Sequence, residues 1–218
     1  MITLPPYMYD KDIYSLLPQD MKQWMNKLRL AEELGYSCGP CGTDAPIGEY
    51  CVRPIMNMYG QGEGGYYKHV VTDVNNARVP NQAGYFWVTW FTGKSKFTEY
   101  INDVPLVSHE ASVDQSGDQR SWAETTNHIV IPAFLQGLSR YMMIEAHDDK
   151  LIEVSFRLAG PWARRDVIAD YKTIDPSYDP TGDVEFGIFT GKRVPAIGTV
   201  RTGQSWEEIP GTRVDSGK

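Results

Sequence analysis

Glu145 and Glu153 stand on either side of a short turn between two β-prone runs, 141–146 and 151–157, and so sit on adjacent strands of a tight hairpin. Strand side chains alternate with period two, which puts Ser155 and Arg157 on the face that carries Glu153. Carboxylates from neighbouring strands can converge on one divalent cation. Mg2+ in particular is held by one or two carboxylates plus substrate phosphates. An arginine on that face can meet a phosphate oxygen. The same letters also describe ordinary solvated charges on an exposed hairpin. Earlier in the chain an apolar run ends in Arg53-Pro54, glycines follow at Gly60, Gly62, Gly64 and Gly65, and a second β-prone run occupies 66–71. This reads as strand, glycine loop, strand. Glycine tolerates positive φ and has no Cβ, so such a loop can lie over a phosphate with its N–H groups exposed, or can be a flexible hairpin tip. The spacing Gly60, Gly62, Gly65 also fits a dinucleotide fingerprint. That fingerprint needs a helix directly after the glycines, and the residues at 66–71 are aromatic and β-branched.

Several function classes are disfavoured by composition. The 218 residues carry 41% hydrophobic and 22% charged residues, enough for one full core. A formal net charge of -7 argues against a dedicated binder of nucleic acid or membrane surfaces. No apolar run approaches a membrane span, and the first residues lack the basic-then-apolar pattern of a signal peptide. Three cysteines, an odd count, fit a reduced chain in the cytoplasm.

The elements that must position these residues read as follows. Residues 1–19, rich in Pro and Tyr, suggest an extended arm on the surface. The spacing predicts a helix over 20–34, with Asp20 as cap, Gln23 as its return partner and Gly35 as the stop; Met21, Trp24, Leu28 and Ala31 share a face. Cys38-Gly-Pro-Cys41 is similar to the thioredoxin active site, whose chemistry needs the first thiol at a helix N-terminus. Here it follows a helix and leads into a strand, so a Gly/Pro turn with incidental thiols is expected. Strands are expected at 84–91, 96–101, 104–113, 141–146 and 151–157, with short candidates at 184–189 and 196–201. A polar loop carrying Arg120 and Trp122 is expected at 114–126, a short helix at 132–139, and a mobile tail beyond 202.

In this order the parts resemble the ATP-grasp superfamily, and the D-alanine–D-alanine ligases within it. Asn26-Lys27 through Gly35 is similar to the family's Asp-Lys helix, with Lys27 at the nucleotide-binding lysine. Cys51-Val-Arg-Pro54 and the glycines to Gly65 match its Lys-Pro strand and loop, with Arg53 in the lysine place. Val88-Thr-Trp-Phe-Thr-Gly93 is similar to the strand that meets adenine, and Ile152-Glu-Val-Ser-Phe-Arg157 to the closing Glu-x-Asn-x-Arg. The resemblance covers about residues 20–160, and the compact layout also looks like short ATP-grasp-like proteins encoded by tailed bacteriophages. Besides Arg53, four positions depart from the pattern. Val88 stands where a carboxylate is usual, Ser95 or Lys96 near the ribose-binding Glu, and Ser155 in place of the metal-binding Asn. Glu145 is offset by about two residues from the first metal carboxylate.

The resemblance implies an α+β, ATP-grasp-like fold of mainly antiparallel sheets with few helices, without a full N-terminal domain ahead of it. Its expected divisions are an N-terminal arm and helix at 1–44, a glycine-loop and adenine-strand lobe at 45–105, a metal-hairpin lobe at 106–201 and a tail at 202–218. It implies an ATP-dependent carboxylate–amine ligase working through an acyl phosphate. Lys27, Arg53, Gly60, Gly62, Gly64, Gly65 and Trp90 would hold ATP. Glu145, Glu153 and Ser155 would hold Mg2+, and Arg157 and Arg120 would meet the transferred phosphoryl group. Its partners would be carboxylate and amine substrates, in the cytoplasm or a host's cytoplasm. The alternative is an inactive relative that binds a host or virion protein.

Overall fold

The computed structural model describes residues 1–56, 66–113, 119–159 and 164–178, with residues 112–113 and 119–121 as backbone alone. Gly60, Gly62, Gly64 and Gly65, the strands expected at 184–189 and 196–201, and the tail lie outside the described residues, and Arg120 is described without its side chain.

The chain begins with helices α1 (Asp10–Leu16), α2 (Gln19–Lys22) and α3 (Lys27–Glu33). Strands β1 (Cys38–Pro40), β2 (Gly48–Pro54), β3 (Tyr67–Val71) and β4 (Tyr85–Thr89) form one antiparallel sheet in the order β1-β4-β2-β3. Strands β5 (Ser95–Ile101), β6 (Val104–Val113), β7 (Gln119–Thr125), β8 (Tyr141–His147) and β9 (Lys150–Ser155) form a second, in the order β7-β6-β5-β8-β9. A final helix, α4 (Arg165–Lys172), follows. These two antiparallel sheets with few helices are the α+β class expected. No helix among the described residues is long and apolar enough to cross a membrane.

Side-chain alternation explains how the layers assemble. Met142, Ile144 and Ala146 of β8 and Val154 of β9 point to one face, where they pack with Ile13, Leu17, Met21, Met25 and Leu30 from the helical segment. On the other sheet, Val52 and Trp87 pack with Tyr50 and Val71, while Phe86 and Val88 turn the opposite way to meet Ala31. Helix α3 therefore joins two cores, with Leu30 in one and Ala31 in the other. Its packing fixes β2 and β4 relative to β9.

Four element readings are corrected. Residues 1–19 are not an extended surface arm. They contain α1, whose Ile13 is fully buried and packs with Leu17 at the i, i+4 spacing of one helix face. The helix expected over 20–34 is broken. Asn26 has extended backbone angles, its Oδ1 accepts from the Arg29 N–H, and α3 starts afresh behind it. Asn26 is thus the working cap, whereas α2 starts before Asp20 and has no side-chain cap; Gln23 Nε2 donates to the Asp20 carbonyl. Within 114–126 there is a strand, β7, in register with β6. The helix expected at 132–139 shrinks to one 3-10 turn, Ala133–Leu135. Cys38–Pro40 also forms a short strand paired with β4. The sequence reading had no counterpart for α4.

Candidate functional site

The hairpin of β8 and β9 turns at Asp148, which takes a φ of 48°, a left-handed value that Asp tolerates. A bulge follows: Glu145 pairs with Glu153 but Ala146 pairs with Leu151, which leaves Ile152 as the extra residue. The two carboxylates are therefore direct cross-strand partners. Ser155 lies two residues on, buried opposite Met143. β9 is the last strand of its sheet, so Glu153 can reach across to the other sheet.

Two cations meet it there. Lys27 is the first residue of α3; its N–H donates to the Ile55 carbonyl just beyond β2, tying the helix start to that strand's end. Its side chain is only 5% exposed, and Nζ lies 2.7 Å from Glu153 Oε2. Arg53, on β2, donates from Nη2 to the same oxygen at 3.0 Å. Lys27, Arg53, Glu145 and Glu153 thus come from four elements and gather at the seam between the sheets. Beside Lys27 and Arg53 a shallow cleft opens, walled by Phe86, Val88, Phe91, Leu151 and Ile152.

The electrostatics follow from this arrangement. Burial opposes ionisation of Glu153, but Lys27 and Arg53 outweigh it and hold the carboxyl below its usual range. Glu145 makes no hydrogen bond or ion pair among the described residues. Burial, then the charge of Glu153, pushes it up to about 7. Burial and the neighbouring guanidinium of Arg53 lower Lys27, against the pull of Glu153.

The other expected site residues lie differently. Arg157 is a buried cation held by Asp10: Nε donates to Oδ1 at 2.9 Å and Nη2 to Oδ2 at 2.6 Å, while Nη1 donates to the Leu158 carbonyl. A phosphoryl group would compete with Asp10 for it. Trp90 follows β4 and is covered by Lys68, whose Nζ is 5.3 Å from the ring centroid, with Tyr66 nearby. It does not line the cleft with Lys27. Asp10 was missed in the sequence. Its signal was an acidic residue in the first turn of a helix whose Ile13/Leu17 pair was masked by the prolines and tyrosines around it. Cys38 and Cys41 are free, and burial raises both thiols rather than activating them.

Could these residues hold a divalent cation? Among the described residues no three His, Cys, Asp or Glu side chains gather as a metal set. Two facing carboxylates, one of them without a hydrogen bond or ion pair among the described residues, are what Mg2+ needs when phosphates supply further oxygens. The donor set therefore fits Mg2+ brought with a phosphate ligand and does not form an all-protein cage.

No family model matches the chain, and no curated protein does. Solved structures similar to it include ATP-grasp ligases. It is similar to an L-amino acid ligase from Bacillus licheniformis, with 12% identity and a TM-score of 0.44 over 66% of this chain and 43% of that one. It is similar to a D-alanine–D-alanine ligase from Bacillus anthracis, with 14% identity and a TM-score of 0.40 over 76% and 70%. The ATP-grasp ligase PsnB, complexed with minimal precursor, Mg and ADP, matches at 16% identity and a TM-score of 0.37 over 69% and 54%. The chain spans about half the length of the first and third of these.

Proposed function

We propose that the chain is an ATP-dependent carboxylate–amine ligase that binds Mg-ATP in the seam between its sheets. The observation that carries this reading is the convergence of Lys27 and Arg53 on Glu153, directly opposite Glu145. Lys27 and Arg53 hold phosphate oxygens, Arg53 as a planar fork that can engage two at once. Glu145 and Glu153, with Ser155, would hold Mg2+, which when bound neutralises charge on the phosphates. Arg157, oriented by Asp10, steadies the phosphoryl group as it passes to the substrate carboxylate. An amine then attacks the acyl carbon of the acyl phosphate and releases phosphate. The residues contribute positioning and charge stabilisation and form no covalent bond of their own.

The test is ADP release by the purified protein with Mg2+ and mixtures of carboxylates and amines. Release should require both substrates and vanish in Glu153→Gln. If the wild type neither consumes ATP nor shows Mg2+-dependent nucleotide binding, the ligase reading is dropped. One observation favours a second reading: Arg157 is already paired bidentately with Asp10 and Ser155 is buried, as in a relative that has lost catalysis and serves a protein partner, such as a host or virion protein. Nucleotide binding without any turnover would support it.

A further inference from the structure

We infer that Glu153 is a built-in anion that closes the phosphate site of the free protein, so that the site accepts a nucleotide together with its divalent cation and discriminates against the metal-free form. This rests on the nucleotide reading above and adds a selection rule to it.

The geometry has two parts. One carboxylate oxygen, Glu153 Oε2, lies 2.7 Å from Lys27 Nζ and 3.0 Å from Arg53 Nη2, and the three side chains are only 15%, 5% and 16% exposed. Both phosphate-binding cations thus already share a single internal anion, away from water, where ion pairs are strongest. An incoming phosphate must break both pairs at once. The displaced carboxylate then lies beside Glu145, its direct cross-strand partner, which has no ion pair among the described residues. Like charges directly opposite in a sheet repel. A metal-free nucleotide, itself polyanionic, therefore adds negative charge where Glu153 has just lost both partners and faces Glu145. A divalent cation arriving with the nucleotide removes that repulsion, because the two carboxylates become its ligands. Coupling of this kind is reciprocal: the nucleotide must strengthen cation binding by the factor by which the cation strengthens nucleotide binding. An ion pair that only fastened α3 to β9 would give no such coupling.

The experiment is calorimetric titration of ATP into the whole chain, once in EDTA and once in excess Mg2+, for the wild type and for Glu153→Gln. The wild type should bind ATP at least about tenfold tighter with Mg2+, within the usual span of coupling between two ligands. Glu153→Gln, which frees both cations, should bind metal-free ATP at least about tenfold tighter than the wild type and gain little from Mg2+. A variant that binds metal-free ATP no tighter than a wild type that does bind it overturns the selection rule and leaves the nucleotide reading standing. Binding in neither protein under either condition removes both. Should Glu153→Gln fail to fold, the wild-type pair decides alone: equal affinity in EDTA and in Mg2+ overturns the inference.

Discussion

Glu99 shows how burial acts on a single residue. It is fully buried on the central strand of the five-stranded sheet, and its Oε1 accepts a hydrogen bond from the Ala159 N–H, while Oε2 finds no partner among the described residues. Burial raises its carboxyl from the ordinary 4.5 to about 7, against the pull of Arg157 and Arg164. The sign is then fixed. Between those two values the folded chain binds more protons than the unfolded one, so stability is greatest below about pH 4.5 and falls as pH rises towards 7. The loss amounts to about 3 kcal/mol for this group. Glu145 shifts the same way and adds to the slope. Glu99→Gln keeps an acceptor for Ala159 without the charge. It should therefore flatten the pH dependence and raise stability at pH 8, read by urea unfolding at pH 5 and pH 8. An unchanged slope would mean that Glu99 is not the titrating group. From the sequence, 96–101 reads as a half-buried strand because polar and apolar residues alternate. In the fold β5 is central and covered on both faces, which a single strand's pattern cannot reveal.

Helix α1 is the element whose role was least legible. Proline and tyrosine dominate the composition of its surroundings, and only one short apolar pair marks a helix there. What holds it is a long-range bond: Asp10, 2% exposed, takes the Arg157 guanidinium with both carboxylate oxygens. Removing one partner of a buried pair strands the other charge. Asp10→Ala should therefore cost about 3–5 kcal/mol, and Asp10→Ala with Arg157→Met should recover part of that loss. Denaturant unfolding of the two variants measures it; a single-variant cost below about 0.5 kcal/mol, the usual surface value, would show that the pair does not fasten the N-terminus. Strands were more legible than helices. The runs at 96–101, 104–113, 141–146 and 151–157 carry β-branched and aromatic residues that match β5, β6, β8 and β9. The break at Asn26 was not visible, since a helical period crosses it and only its capping bond to Arg29 divides the segment.

At the scale of the molecule, two antiparallel sheets meet over α3, and the charged residues gather where β9 approaches β2. The residue types of this seam could be read from the chain: Lys27, Arg53, Glu145 and Glu153 were each picked out by motif or by strand alternation. Their convergence could not, because it depends on a turn-sized bulge and on α3 packing both sheets at once. The central claim is that these residues form a phosphate site, and Arg53 tests it most directly. ATP is titrated calorimetrically, in Mg2+, into the wild type, Arg53→Ala and Arg53→Lys. A lost hydrogen bond to a charged group predicts that Arg53→Ala weakens binding by about 1.5–3 kcal/mol, with partial recovery in Arg53→Lys, which keeps the charge but not the fork. Equal affinity in all three proteins would contradict the account.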